Sequence, residues 1–160
     1  MKSARIIAAA SLLVTGWALS AKPAAAPAAP SAAQIVAARQ AGMAMSATSL
    51  NMMKGASANG MPLKNLAFSA GGLAKWAQAM PALFAESTRG LPSRAKPEVW
   101  TNKADFAAKS AAFADATKAL ADAAKAEDKD AFATALASVG GACKGCHDSY
   151  QTPSQPPKAG

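Results

Sequence analysis

Histidine, cysteine and strand-forming residues are scarce in this chain of 160 residues. The sequence contains one His, two Cys and one Tyr, and Val and Ile are also few. Because β-branched and aromatic residues favour strands, their scarcity argues against a sheet. Alanine is abundant, and it is the best helix former because its side chain loses no entropy on ordering. The composition therefore predicts an all-α fold of closely packed helices.

A hydrophobic run long enough to span a membrane is also missing. The uncharged stretch from Ile6 to Leu19 is shorter than the ~20 apolar residues that a transmembrane helix needs. It follows Lys2 and Arg5 and ends in small residues near Ala21, which is typical of a secretory signal peptide. We expect residues 1–21 to be removed on export, which leaves a periplasmic protein that does not span the membrane.

The ends of the remaining chain are rich in proline. Residues 22–30 form a Pro/Ala stretch and residues 152–160 contain three prolines, so we expect a linker and a disordered tail on either side of one domain at 31–151. Lys and Arg outnumber Asp and Glu, which gives a formal net charge of +8, but the basic residues are scattered along the chain. This distribution argues against a nucleic-acid-binding protein.

Apolar periodicity and helix-end signals predict four helices, at about residues 31–54, 62–84, 97–125 and 130–150. Ser31 is a candidate N-cap, and Gly71, Gly72 and Pro81 are expected to loosen or kink the second helix. Phe106, Phe113 and Leu120 recur every seven residues in the third. Four such helices joined mostly by short loops predict an up-down-up-down antiparallel four-helix bundle.

Both cysteines and the only histidine lie in the segment Cys143-Lys144-Gly145-Cys146-His147. The pattern C-x-x-C-H is the attachment site of c-type haem. Residues three and four apart share one face of a helix, so two thiols can bond the porphyrin while the imidazole binds its iron. The sequence therefore predicts one covalent haem c bound by Cys143 and Cys146, with His147 as an axial iron ligand.

Other uses of this segment have less support. A thioredoxin-like C-x-x-C normally follows a strand, and none is predicted. Zinc usually takes four ligands, and the chain has only three Cys and His residues. A disulfide between such near neighbours would stabilise little. We also expect no enzyme, because no acid/base pair or nucleophile with a histidine partner is present.

Several segments resemble the cytochrome c-prime family, the class II c-type cytochromes. These segments are Arg39-Gln40-Ala41-Gly42-Met43, Ala95 to Trp100, and Ala142 to Tyr150, which contains the haem motif. The similarity covers about Gln34 to Tyr150. It implies a four-helix haem bundle, commonly a homodimer through the first two helices, and it places Arg39 and Gln40 in the haem pocket, with Arg39 near a propionate.

The resemblance also places Met43 on the open side of the iron, where the family divides. We expect the low-spin branch, in which Met43 is the sixth ligand and the protein carries single electrons between redox partner proteins. The alternative is a five-coordinate iron that binds NO or CO. That branch often has an arginine four residues after the haem histidine, where this chain has Gln151. The other methionines (Met52, Met53, Met61 and Met80) are expected to fill the core.

Overall fold

The computed structural model describes residues 28–153, and these form five α-helices without a strand. The predicted signal peptide 1–21, residues 22–27 of the linker and residues 154–160 of the tail lie outside the described residues. The helices are α1 (Ala32–Ala58), α2 (Ala67–Ala79), α3 (Glu98–Thr101), α4 (Lys103–Ala126) and α5 (Lys129–Tyr150). No helix in the described part of the chain is long and apolar enough to cross a membrane.

The four long helices α1, α2, α4 and α5 form the predicted antiparallel four-helix bundle. Short 3₁₀ helices at Leu63–Leu66, Met80–Phe84 and Glu86–Thr88 surround α2 and its connection to α3. The central helix α4 packs most extensively against α5 and α2. The all-α architecture that was predicted from the composition is therefore confirmed.

Side-chain caps define two helix starts. The Ser31 hydroxyl accepts a 3.3 Å hydrogen bond from the Gln34 backbone N–H, while the Gln34 side chain accepts one of 2.7 Å from the Ser31 N–H. This reciprocal pair is a capping box and confirms the predicted N-cap. Asp128 caps α5 by accepting a 3.0 Å bond from the Ala131 N–H.

The heptad pattern of the third predicted helix lies in the core. Phe106, Phe113 and Leu120 are all buried. Phe113 and Leu120 belong to the main core together with Met53 of α1 and Phe132 of α5, which are each at most 1% exposed, whereas Phe106 belongs to a second cluster. Burying side chains of this size stabilises the bundle by about 1.5–3 kcal/mol each relative to exposing them.

The prediction of one continuous third helix was wrong. Asn102, with φ −110° and ψ 59°, interrupts it between the single turn α3 and the long α4. The interruption accompanies a second apolar cluster, in which Val99 and Trp100 pack with Phe106 and Tyr150. Tertiary packing therefore overrides the local helical preference at this point.

Two other details differ from the sequence-based expectation. Gly71 and Gly72 do not interrupt α2, whereas Pro81 lies in the 3₁₀ turn that follows it. Met52 and Met61 are each 43% exposed and do not fill the core, unlike the buried Met53 and Met80. The exposed pair was misassigned because a methionine pattern alone does not show which face of a helix is covered.

Candidate haem site

The last turns of α5 carry the three residues of the predicted motif. Cys143 and Cys146 are free and half-buried, and His147 is exposed toward a cavity beside the helix. Their spacing of three and four residues puts them on one helical face. Between residues 28 and 153, no group of three His, Cys, Asp or Glu side chains could hold a bare metal ion. The segment therefore offers thiols and an imidazole together, as a c-type haem requires.

The cavity beside His147 has a volume of about 350 Å³. It adjoins a smaller space of about 30 Å³ between α5, α4 and Met43 of α1. Both spaces are lined by Met43, Met80, Cys146 and His147, and the smaller one also by Cys143. The fold thus brings Met43 to the same site as the haem motif, although Met43 and His147 are 104 residues apart in the sequence.

Arg39 forms one wall of the larger cavity and is only 3% exposed. Its Nη1 donates to the Leu83 carbonyl oxygen at 3.0 Å and to the Thr88 hydroxyl at 3.4 Å. The guanidinium lies 4.3 Å from the ring centroid of Phe84, which is cation–π geometry. Nη2 is buried and has no hydrogen-bond partner. Burial lowers the pKa of Arg39, although guanidinium remains charged at any ordinary pH.

Gln40 and Met43 follow Arg39 on α1 and line the same cavity. Gln40 is exposed, so its amide lies at the rim, whereas Met43 is half-buried and packs against the main core. Met45 is 70% exposed and lies away from the cavity. This agrees with the ~200° that separates residues two apart on a helix.

The remaining wall is aromatic, and sequence reasoning did not find it. Phe84 lies edge-on to Phe106 with ring centroids 4.9 Å apart, and Phe106 lies edge-on to Tyr150 at 5.2 Å. The Trp100 Nε1 donates a 2.9 Å hydrogen bond to the Phe84 carbonyl, which fixes the backbone next to the Phe84 ring. Phe84 lies at the end of the 3₁₀ helix Met80–Phe84. Helical periodicity in the sequence therefore could not predict its place in the cavity wall.

A loop segment closes the cavity at the end of α5. Ala95 pairs with Gln151 in an isolated antiparallel bridge, and the Lys96 N–H donates to the Tyr150 carbonyl at 2.9 Å. The Lys96 ammonium also donates to the Asp148 and Ser149 carbonyls at 3.0 and 3.3 Å. A cation here satisfies the last carbonyls of the helix and interacts favourably with the negative end of the helix dipole.

The titratable groups of the motif are shifted toward their neutral forms. Burial raises the pKa of the Cys143 and Cys146 thiols. Partial burial, and then the positive charge of Arg94, lower the pKa of the His147 imidazole. Neutral imidazole is the form that binds a metal ion. The site therefore favours the protonation state of His147 that an iron ligand needs.

The residues present fit a haem on three independent grounds. The thiols and the imidazole share one face of α5, and the adjoining cavity is walled largely by apolar side chains. The unpartnered Nη2 of buried Arg39 needs an anion or acceptor, because an unsatisfied buried donor costs about 1–3 kcal/mol. A haem propionate is such an acceptor.

A family model described as Cytochrome C' matches residues 34–151. The chain belongs to the cytochrome c' family. Members of this family carry covalently bound haem c with its iron, which is the chemistry that the C-x-x-C-H motif predicts. Cytochrome c' proteins are typically periplasmic.

Individual relatives agree with the family assignment. The cytochrome c' of Pararhodospirillum photometricum is 35% identical over 75 residues, which cover 46% of this chain and 60% of that protein. The alignment thus spans less than two thirds of that relative.

Solved structures match more of the chain. The cytochrome c' of Alcaligenes xylosoxidans, as a ferrous variant with bound NO, has a TM-score of 0.72 at 28% identity, covering 79% of this chain and 100% of that one. A further solved cytochrome c', described as having ligand-controlled dimer dissociation, has a TM-score of 0.73 at 27% identity over 79% and 100% of the two chains.

Proposed function

We propose that this cytochrome c' holds one haem c through Cys143 and Cys146, with His147 as the axial iron ligand and the opposite face open to a small gas such as NO or CO. The comparison with a solved structure is the main reason for proposing gas binding rather than electron transfer. Apolar side chains form much of the wall of the cavity beside His147, and the structure matches, over 79% of the chain, a cytochrome c' structure with bound NO.

The protein's own residues have distinct tasks in this proposal. The thiols of Cys143 and Cys146 fix the porphyrin to α5 and prevent its loss. The Nη2 of Arg39 donates to a propionate, and its Nη1 bond to Leu83 keeps the guanidinium in place. Gln40, at the rim, supplies a second polar contact for the same edge. When bound, the haem supplies an iron centre that takes up a diatomic gas or changes oxidation state by one electron.

Apolar side chains prepare the open face for such a gas. Met43, Met80, Phe84 and Phe106 line the cavity, and none of them carries a hydrogen-bond donor. They exclude water, which competes for iron, and they do not disfavour a weakly polar diatomic molecule. These walls select small ligands by size and polarity.

Electron transfer with Met43 as sixth ligand is the second candidate. The observation in its favour is that Met43 lines both spaces next to His147. His/Met ligation raises the reduction potential and suits electron carriers. The match to a neighbour with bound NO favours the open face. In either case we propose no enzymatic turnover, because both functions need only the haem iron.

The proposal includes location and assembly. We place the mature protein in the periplasm after removal of residues 1–21, with redox proteins as its partners and no nucleic acid. We also propose a homodimer through α1 and α2. Phe68 is 92% exposed and Met45 is 70% exposed on these helices, so a second copy would cover large apolar side chains.

Electron paramagnetic resonance of the oxidised protein distinguishes the two functions. An open or weakly ligated iron gives a high-spin signal, and this is the result we expect. A low-spin signal that becomes high-spin in Met43→Ala but not in Met45→Ala would establish Met43 as the ligand. Intact-mass measurement of the same sample counts the attached haems, and we expect one per chain.

A further inference from the structure

Arg94 lies on the loop before α3 and is bound to the chain just after the haem-motif helix. Its Nε donates to the Thr152 carbonyl at 2.9 Å, and its Nη2 donates to the Gln151 side-chain oxygen at 3.1 Å. The Arg94 carbonyl accepts a 2.8 Å bond from the Thr152 N–H. Two hydrogen bonds from the guanidinium and one to the backbone carbonyl therefore fix Arg94 against the end of α5.

The charge of Arg94 belongs to the haem site. Arg94 and His147 line the same cavity. Among the described residues, no carboxylate pairs with Arg94, whereas the nearby Lys144 is paired with Asp148 at 2.6 Å. The guanidinium thus presents an uncompensated positive charge on the His147 side.

Position 151 is where the resemblance noted above leads one to expect an arginine. Gln151 carries no charge, but its amide oxygen accepts the Arg94 hydrogen bond. We propose that Arg94 is a positioning residue of the haem site. It supplies from the loop the positive charge that Gln151 lacks, and it holds the end of α5 beneath His147. The inference rests on the proposed haem attachment, but it does not depend on whether the open face binds a gas.

This role has a predicted electrochemical consequence. A fixed positive charge beside the haem disfavours the ferric state, which carries one more positive charge than the ferrous state. Removing it lowers the reduction potential. Because Arg94 is exposed, salt screens its effect: the Debye length falls from about 30 Å at about 0.01 M to about 3 Å at about 1 M ionic strength.

The test is spectroelectrochemistry of the haem-loaded protein and four variants. At a fixed applied potential and low salt, Arg94→Gln should reduce the ferrous-to-ferric ratio roughly threefold to tenfold. Arg94→Lys keeps the charge and should stay within about twofold. Gln151→Arg added to Arg94→Gln should restore the parent ratio. Arg89→Gln is the matched control, since Arg89 is an exposed arginine paired with Glu86 outside the cavity.

Several outcomes would overturn the proposal. Two of these are that Arg94→Gln behaves like Arg89→Gln, and that its shift persists unchanged at high salt. A shift that Gln151→Arg fails to restore, or that Arg94→Lys reproduces in full, would also contradict a charge role. If Arg94→Gln loads no haem, the lysine and double variants decide by the same criteria. Failure of the parent to attach haem would instead refute the proposed function, and intact mass shows that before any variant is made.

Discussion

The Tyr150 phenol donates a 2.5 Å hydrogen bond to the Asp105 carboxylate. Tyr150 is the last residue of α5, three positions after His147, and Asp105 lies in the first turn of α4. The Tyr150 oxygen is also 3.4 Å from the Asn102 carbonyl, at the interruption before α4. A single side chain therefore ties the haem-motif helix to the start of its neighbour.

We predict that Tyr150 ionises about two pH units above an ordinary tyrosine. Burial, and then the bond to Asp105, raise its pKa to about 12, against about 10 for an unperturbed phenol. Tyr150 is the only tyrosine in the chain, so ¹³C-labelled tyrosine gives one NMR resonance, which can be followed in the CO-bound ferrous protein. Asp105→Asn should move the midpoint toward 10.

The sign of the pH effect on stability follows from this shift. A raised phenol pKa stabilises the folded state below about pH 10, and the contribution is lost as pH rises through about 12. Tyr150→Phe should not show this loss of folding stability at alkaline pH. A Tyr150 midpoint near 10 in the folded protein would show that the hydrogen bond to Asp105 has no such effect.

Gly42 permits a close approach of α1 and α2, and we predict that a methyl group there destabilises the bundle. A Cβ at Gly42 would lie 2.2–2.6 Å from three ring atoms of Trp76. Overpacking of this kind costs about 1–3 kcal/mol, so Gly42→Ala should lower the urea midpoint.

Gly71→Ala is the matched control, because nothing lies within 4 Å of its added Cβ inside α2. Alanine is a better helix former than glycine by roughly 0.5–1 kcal/mol, and this variant should be more stable than the parent. Equal effects of the two substitutions would contradict the contact with Trp76.

Arg39 should contribute more to stability than a surface arginine does. Arg39→Ala removes the charged hydrogen bond to Leu83 and the contact with Phe84. We expect the free energy of unfolding of the haem-loaded protein to fall by about 2–3 kcal/mol. Arg89→Ala, which breaks only an exposed pair with Glu86, should change it by less than about 1 kcal/mol. Urea unfolding measured by circular dichroism compares the two, and similar losses would argue against the buried network.

Covalent attachment predicts resistance of the haem to acidified organic solvent. The parent should keep its haem, and Cys143→Ala combined with Cys146→Ala should release it, because no thioether then remains. Lys144→Ala is the control within the motif, since its ammonium pairs with Asp148 on the exposed side. Retention of haem by the double cysteine variant would disprove the assigned attachment.

The sequence allowed much of this architecture to be predicted, because its strongest signals are local. The Ser31 N-cap, the Phe106-Phe113-Leu120 heptad series and the C-x-x-C-H motif each depend on a spacing within one helix. Helix spacing alone places such residues on one face. The family resemblance then placed Met43, Arg39 and Gln40, and the structure brings all three to the cavity.

The parts that were missed depend on contacts between distant segments. Asn102 interrupts a helix whose composition favours continuity, because Trp100 packs into a separate cluster with Tyr150. Arg94 contacts Gln151 only because the loop between the 3₁₀ helix Glu86–Thr88 and α3 folds back along the end of α5. Neither contact has a periodic pattern in the sequence, so only the packed chain reveals them.

The central claim is that this cytochrome c' presents an open iron face opposite His147. The most direct test is the absorption spectrum of the reduced protein before and after addition of carbon monoxide. Our account predicts broad high-spin bands that convert to a CO-bound spectrum with one CO per haem, in the parent and in Met43→Leu alike. The account would be contradicted if the parent showed sharp, split bands that do not change on addition of carbon monoxide, while the bands of Met43→Leu did change. That result would assign the sixth ligand position to Met43.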